Sequence, residues 1–346
     1  MMNRVNQKIV DAIIKKAEHL CPDSLALIGV YGSVATGDDY EKSDLDLLIL
    51  IQDDEGRQLQ TGFILDDSGV GYDIYCTDWM SLRSDSACHH ARISKLMDSQ
   101  VIYVKDHGAY GKLCELRNQA RLFLESDERF QRVSELIDKA KVSYADSLLH
   151  DRLDEIRMDA FEVMYDLLDA VMLYHGKYFR LGVKRTWQEI SALPVAEEFS
   201  ANMQKIAASK DIPEIRALLK RLLLYTESHT GQEKDRKAPS AELAGTYEEM
   251  YSNWRNKVEE AANNGDIFSS FMNMCCFHHM LADISSEMDI GCCGVMEDYD
   301  PDCLTDNVRI YDKCLENYEA VYKKAGITVK RFSDVDAFAA DYLENK

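Results

Sequence analysis

The fold is decided by a stretch near the N-terminus that reads LALIGVYGSVATG at residues 25–37 and, five residues later, SDLDLLILI at 43–51. Leu, Ile and Val dominate both segments, so each predicts a buried strand. Between them, the Gly32-Ser33 pair predicts a turn that leads into a short helix. The segment therefore predicts a strand–turn–strand unit with acidic residues at the start of its second strand.

Two carboxylates occupy alternate positions in SDLDL. Because side chains of a strand alternate between its faces, Asp44 and Asp46 should point the same way while Leu45 and Leu47 enter the core. A third acid, Asp73, lies in GYDIY, within the next predicted strand. Carboxylates that share a face can hold divalent ions, which bridge the oxygens of a triphosphate. We therefore predict a catalytic metal site formed by Asp44, Asp46 and Asp73.

Gly32 and Ser33 are predicted to contact the phosphates. Glycine lets the backbone approach a ligand closely, and Ser33 can offer its hydroxyl and amide to phosphate oxygens. The simpler interpretation of an Asp-x-Asp pair is a strand edge with solvated acids. Because these acids lie in an otherwise apolar strand directly after a Gly-Ser turn, we favour the metal site.

The pattern of apolar residues changes at about residue 110. Strands are predicted before that point, at 25–31, 45–51, 71–77 and 100–104. From residue 111 onward strand signals almost vanish, and long helical periodicities follow. The predicted fold class is α+β, with an α/β domain at 1–110 and an all-helical bundle domain at 111–346.

With these motifs, YGSVATG at 31–37 and SDLDL at 43–47, the chain resembles the DNA polymerase beta-type nucleotidyltransferase superfamily. The resemblance covers about residues 10–80 and includes all three acids. It implies a small mixed sheet with helices on one face and two magnesium ions. It also implies in-line attack on the α-phosphate of ATP or another nucleoside triphosphate, with pyrophosphate leaving.

What the resemblance implies for single residues matches the prediction from the motifs. Gly32 and Ser33 would bind the triphosphate, and Asp44, Asp46 and Asp73 would hold the metals. The plan of two domains looks more loosely like that of bacterial antibiotic nucleotidyltransferases, which act on aminoglycosides or lincosamides.

A basic segment, YHGKYFRLGVKR at 174–185, places four cations in an acidic protein. It resembles the helix end and turn in the helical domains of many small-molecule nucleotidyltransferases. Such a cluster suits a triphosphate, and we predict that Lys177 and Lys184 bind the nucleotide. The alternative is a basic helix end that complements its own dipole.

Just upstream, carboxylates recur at helical spacing, so they should line one face of a helix. They are Glu155, Asp159, Glu162, Asp166 and Asp169. One interpretation is a cleft wall that binds a polyamine-like acceptor through Glu162, Asp166 and Asp169, with one carboxylate as general base. The alternative is a face whose acids are solvated or paired with Arg152, Arg157 or other helices.

A second acidic region, 258–308, contains no Lys or Arg and carries several Cys and His residues. They are Cys275, Cys276, His278, His279, Cys292 and Cys293. A zinc site among them is conceivable, but no regular C-x-x-C pair occurs. We favour core packing for Cys275 and His279, because free cysteine is among the most buried residues.

The formal net charge is -21 and the isoelectric point is about 4.8. An acidic surface repels phosphate backbones, which argues against a nucleic-acid partner and favours a cationic acceptor. The N-terminus lacks an apolar signal core, no apolar run is long enough for a bilayer, and ten cysteines indicate reduced thiols. We expect a cytoplasmic protein without a membrane partner; a homodimer is left open.

Three function classes follow. The leading one is magnesium-dependent transfer of a nucleoside monophosphate, AMP in the first place, to a hydroxyl of a small cationic acceptor such as an aminoglycoside, giving antibiotic resistance. The second is a protein adenylyltransferase of toxin–antitoxin type, although such enzymes are commonly much shorter. The third is a nucleotide-binding relative without catalysis, against which the intact acids argue.

Overall fold

A computed structural model describes residues 3–40, 42–231, 236–291 and 294–344, with Lys184 and Glu344 described by their backbone alone. The chain divides into two compact units, Met1–Gly231 and Gln232–Lys346. The first unit contains every strand of the described residues together with ten α-helices. The predicted domain boundary at residue 110 lies inside this unit, and it stays a prediction about domain organisation.

In the first unit, strands and helices are interspersed up to residue 104, and among its described residues only helices follow. Its strands are β1 (Leu25–Val30), β2 (Leu47–Ile51), β3 (Thr61–Leu65), β4 (Val70–Ile74), β5 (Cys76–Thr77) and β6 (Gln100–Val104). Its shorter or earlier helices are α1 (Arg4–Leu20), α2 (Gly32–Thr36), α3 (Trp79–Ser86) and α4 (Ser94–Asp98). Its later helices are α5 (His107–Glu125), α6 (Glu128–Leu149), α7 (Leu153–Tyr174), α8 (Thr186–Ile190), α9 (Glu197–Ala208) and α10 (Ile212–Thr230).

The main sheet has four strands in the order β5-β2-β1-β6. β1 pairs antiparallel with β2 and β6, whereas β2 and β5 run parallel, so the sheet is mixed as the resemblance implies. β3 and β4 form a separate antiparallel pair. The fold class is therefore α+β, as predicted from the sequence.

Both faces of β2 are buried, and they belong to two different apolar clusters. Ile49 packs with Val10 and Ile13 of the amphipathic helix α1. Leu48 belongs to a larger cluster that continues through α5 to α10 and includes Leu113 and Val163. Helices consequently cover both faces of the sheet, where the resemblance implies one. This second cluster runs across residue 110 and joins the strands to the long helices.

The second unit is helical in its described residues. Its helices are α11 (Thr246–Met250), α12 (Asn256–Asn264), α13 (Ile267–Glu287), α14 (Leu304–Lys324) and α15 (Val335–Glu344), with a π-helical turn at Tyr251–Arg255. Its own core contains Phe277 stacked on Tyr311, with ring centroids 3.9 Å apart. Among all described residues, no helix is both long and apolar enough to cross a bilayer.

The described Cys and His residues of this unit form no metal-binding group. Cys275 is half-buried, and His279 is exposed beside Asp283, so core packing describes Cys275 better than His279. Cys292 and Cys293 lie outside the described residues. In the described ranges, no group of three or more potential ligands is arranged to hold a metal ion.

We predict that Leu48→Ala lowers the free energy of unfolding by about 2–5 kcal/mol, because the removed side chain leaves a cavity in a fully buried strand. Ile64→Ala on β3 is the matched control; Ile64 is 71% exposed, and its truncation should change stability by no more than about 0.5 kcal/mol. Urea denaturation measures both values. Equal losses in the two variants would contradict the description of β2 as the central buried strand.

Candidate active site

The turn between β1 and α2 is fixed against the second acid of the SDLDL motif. Gly32 has a φ of +64°, in the left-handed region that glycine enters at little cost. Its α-carbon lies so close to the Asp46 carboxylate that a β-carbon would collide with Oδ2. The backbone N–H of Tyr31 donates to the carbonyl oxygen of Asp46 over 3.1 Å. Glycine is therefore required here by backbone conformation and by space.

Asp44 and Asp46 lie immediately before β2 and have the predicted alternating arrangement. Asp44 is exposed, Leu45 is buried and Asp46 is half-buried. Burial, together with the negative charge of Asp44, raises the pKa of Asp46 to about 6. In the part of the chain that the structure describes, neither carboxylate forms an ion pair with a basic side chain. The two acids form a negative centre that the described residues leave uncompensated.

Asp73 comes from β4, where it pairs with Gly62 of β3, and it precedes the parallel β2–β5 pairing by three residues. The parallel β2–β5 pairing aligns Ile49 with Cys76, and three residues back along each chain lie Asp46 and Asp73. Burial alternates along this segment, with Asp73 and Tyr75 exposed and their neighbours buried. Continued beyond its last pair, this register would place Asp73 opposite Asp46, but the pairing ends at Ile49 and Cys76, and the three acids are not arranged as a metal-binding group among the described residues.

Two tyrosines flank the carboxylates. The hydroxyl oxygens of Tyr31 and Tyr75 are 2.9 Å apart and share a hydrogen bond. Burial raises the pKa of Tyr31, and the bond to Tyr75 and the charges of Asp46 and Asp44 add to that rise. On the other side, Lys95 Nζ lies 5.8 Å from the centroid of the Tyr75 ring. The carboxylates therefore have an aromatic wall on one flank.

A pocket of about 390 Å³ opens beside Gly32. It is lined by Gly32, Ala35, Thr36, Asp98, Gln100, Arg180, Leu181 and Glu189. Arg180 Nη2 lies 3.3 Å from Asp98 Oδ1, which also accepts a 2.9 Å hydrogen bond from the Tyr178 hydroxyl. The Glu189 carboxylate accepts the backbone N–H groups of Arg180 and Leu181 over 2.8 and 3.2 Å. These contacts hold the segment after α7 against α4 and α8.

The basic segment at 174–185 thus contributes to the pocket, but through a different cation from those predicted. Arg180 lines the pocket, whereas Lys177 is exposed and is not among the lining residues. The Lys184 side chain lies outside what the structure describes. Arg185 forms an ion pair with Asp38, in the loop that follows α2. The roles predicted for Lys177 and Lys184 remain predictions.

The acidic stripe on α7 is largely paired inside the protein. Asp169 is 1% exposed and lies 2.5 Å from Arg92 Nη1, and Asp166 is 2% exposed and lies 2.9 Å from Lys139 Nζ. Asp159 accepts a hydrogen bond from His150. These contacts match the alternative interpretation, in which the acids are paired inside the protein. They join α7 to α6 and to the segment between α3 and α4.

Glu162 differs from the rest of the stripe. It is exposed, and one of its oxygens accepts a 3.1 Å hydrogen bond from the Ser143 hydroxyl. Glu155, nearer the start of the helix, is half-buried. Of the three residues predicted to bind an acceptor, Glu162 is therefore the one whose carboxylate is open to solvent.

The sequence analysis missed the pocket residues Asp98 and Glu189 and the two tyrosines. Arg180 was visible as part of the basic segment, but nothing in the spacing distinguished it from its basic neighbours. Tyr75 carried a weak signal, since it lies two residues after Asp73 and shares its strand face. The partner of Tyr75, at the end of β1, depends on tertiary structure.

Comparison with known proteins identifies the N-terminal region. Residues 10–105 match the family model for the nucleotidyltransferase domain. No curated protein matches the chain. A solved nucleotidyltransferase-like protein from Exiguobacterium sibiricum 255-15 is similar over 75% of this chain and 91% of its own, at 15% identity and a TM-score of 0.37. The N-terminal region is thus a nucleotidyltransferase domain, and the chain is a transferase.

We predict that Gly32→Ala abolishes transfer, because the methyl group displaces the Asp46 carboxylate. Gly37→Ala is the matched control: Gly37 also has a positive φ, of +73°, but no atom lies near its added β-carbon. Both variants should lose about 1–2 kcal/mol of stability from the backbone conformation. Activity assays on the folded proteins then isolate the collision. Active Gly32→Ala enzyme would contradict the close approach of the turn to Asp46.

Proposed function

We propose that the chain transfers a nucleoside monophosphate, AMP from ATP, to a hydroxyl of a small cationic acceptor such as an aminoglycoside, with magnesium bound and pyrophosphate released. The proposal is carried by one observation, the uncompensated carboxylate pair Asp44 and Asp46 beside Gly32. Like charges this close destabilise a protein unless a cation is present. A nucleotide-binding turn next to such a pair supports metal-assisted phosphoryl chemistry.

The donor set fits magnesium, which prefers oxygen ligands and is commonly held by one or two carboxylates together with substrate phosphates. Asp44 and Asp46 would hold it, and the exposed Asp73 would complete the set. The metal would supply neutralisation of charge on the transferred phosphoryl group and lower the pKa of a bound hydroxyl. The raised pKa of Asp46 supports this, since a cation there relieves both of its causes.

The protein's own residues orient the nucleotide. Gly32 allows the backbone to approach the phosphates, and Ser33 on α2 is half-buried next to it. The adjoining pocket offers the Arg180 guanidinium, whose planar donors suit phosphate oxygens. In the reaction, the acceptor oxygen forms a bond to the α-phosphorus, and the bond from that phosphorus to the bridging oxygen breaks. The hydroxyl proton passes to a carboxylate or to water.

The nature of the acceptor rests on charge. The net charge of -21 favours a cation, and Glu162 remains open on α7. Asp166 and Asp169 are occupied by Lys139 and Arg92, so in this proposal they support the helix while Glu162 contacts the acceptor. Ten cysteines in a chain without an apolar signal core support a reducing, cytoplasmic location.

We predict that Asp46→Asn abolishes transfer and at the same time stabilises the metal-free protein by about 1 kcal/mol, since the half-exposed charge is only partly screened. Magnesium with a nucleotide should raise the melting temperature of the wild type but not of the variant. Asp23→Asn, at an exposed position, is the control for a generic loss of charge. A less stable Asp46→Asn protein with normal turnover would refute the metal assignment.

We further predict that Glu162→Gln raises the KM for a cationic acceptor severalfold, with the KM for the nucleotide unchanged, and that this effect shrinks with salt. Asp166→Asn should instead lower stability, because it weakens the ion pair that this buried carboxylate forms with Lys139. A screen of α-labelled nucleotides against aminoglycosides and lincosamides identifies the acceptor. A neutral or anionic best acceptor, or label on a protein, would contradict this part of the proposal.

A further inference from the structure

We infer that the hydrogen bond between the Tyr31 and Tyr75 hydroxyls ties the segment that carries Asp73 to the end of β1, which is bonded to Asp46, so that the two tyrosines act as positioning residues for the third carboxylate. The inference rests on the proposed function, in which the three acids share the metal. It adds to that function a contact between two tyrosines, outside the acids themselves, that helps to set the geometry of the site.

The need for such a contact follows from the strand arrangement. Asp46 immediately precedes β2 in the four-stranded sheet, whereas Asp73 belongs to β4 of the separate β3–β4 pair. The parallel pairing that joins the two regions, between β2 and β5, comprises only Ile49 with Cys76 and Leu50 with Thr77. Asp73 lies beyond the end of this pairing, so the ladder alone gives its position little support.

The tyrosine pair spans this weak connection. Tyr31 follows β1, and its backbone N–H is bonded to the Asp46 carbonyl, so its own position is fixed relative to that acid. Tyr75 lies between β4 and β5, two residues from Asp73 and on the same strand face. The 2.9 Å hydroxyl contact therefore joins the end of β1 to the segment that carries Asp73, across the start of β2.

The bond is open to solvent on its Tyr75 side and partly shielded on its Tyr31 side. Tyr31 is half-buried, so its hydroxyl has limited access to water once the bond to Tyr75 is broken. Lys95 lies over the Tyr75 ring, and its ammonium group is also 3.8 Å from Asp85, which restricts the ring. A partly desolvated hydroxyl bond with a restrained partner holds its geometry better than an exposed one.

The test separates positioning from general stability by measuring metal binding without turnover. Electron paramagnetic resonance of Mn²⁺, with a non-hydrolysable ATP analogue, gives the metal dissociation constant for wild type, Tyr31→Phe, Tyr75→Phe and the double variant. Tyr110→Phe, at an exposed tyrosine of α5, is the matched control. Each single variant should bind Mn²⁺ about threefold to tenfold more weakly, the range expected for loss of one hydrogen bond.

The double variant should bind Mn²⁺ about as weakly as either single variant, because both substitutions remove the same bond. Turnover should fall with it, and the KM for the nucleotide at saturating metal should stay within about twofold, since the Gly-Ser turn is intact. Tyr75 is partly exposed, so Tyr75→Phe stays informative if Tyr31→Phe folds poorly.

Wild-type Mn²⁺ affinity in Tyr75→Phe, or losses that multiply in the double variant, would overturn the inference. Asp46→Asn measured in parallel keeps the two claims apart. If Asp46→Asn loses Mn²⁺ binding while Tyr75→Phe does not, the tyrosine bond has no positioning role but the metal site stands. If Asp46→Asn also binds Mn²⁺ normally, the proposed function itself fails.

Discussion

The main constraint on the structure is that two like charges, Asp44 and Asp46, lie close together immediately before the buried strand β2. Burial of Asp46, together with the negative charge of Asp44, raises the pKa of Asp46 to about 6. β2 tolerates this because both of its faces are fully packed, with α1 on one side and the long helices on the other. The packing of this core thus offsets the unfavourable electrostatic energy of the two acids in the absence of a cation.

The helical part of the first unit contains a second group of buried acids, and these acids have basic partners. Two carboxylates of α7, Asp169 and Asp166, form ion pairs with Arg92 and Lys139 from other parts of the unit. Both carboxylates are almost completely buried. The Arg92 guanidinium also lies 3.2 Å from the centroid of the Tyr165 ring. One oxygen of each of these two acids has an internal cationic partner, whereas Asp44 and Asp46 have none among the described residues. This contrast distinguishes structural acids from candidate metal ligands.

Much of the N-terminal region could be predicted, because its signals are local. The alternation in SDLDL and the Gly-Ser turn identified the strands, the short helix and the acids, and the family match confirmed a nucleotidyltransferase domain. β3 was missed, since its alternate residues are exposed and its apolar signal is weak. The role of Arg180 and the pairing on α7 were out of reach, because partners distant in sequence decide them.

In the proposed reaction, the bond broken in the substrate lies between the α-phosphorus and the oxygen that bridges it to the β-phosphate. The most direct measurement follows two samples of ATP, one radiolabelled at the α-phosphorus and one at the γ-phosphorus, in reactions with magnesium and an aminoglycoside panel. We expect the α-label to move to the acceptor and the γ-label to leave in pyrophosphate. A γ-label on the acceptor, or no transfer of the α-label to any small molecule, would contradict it.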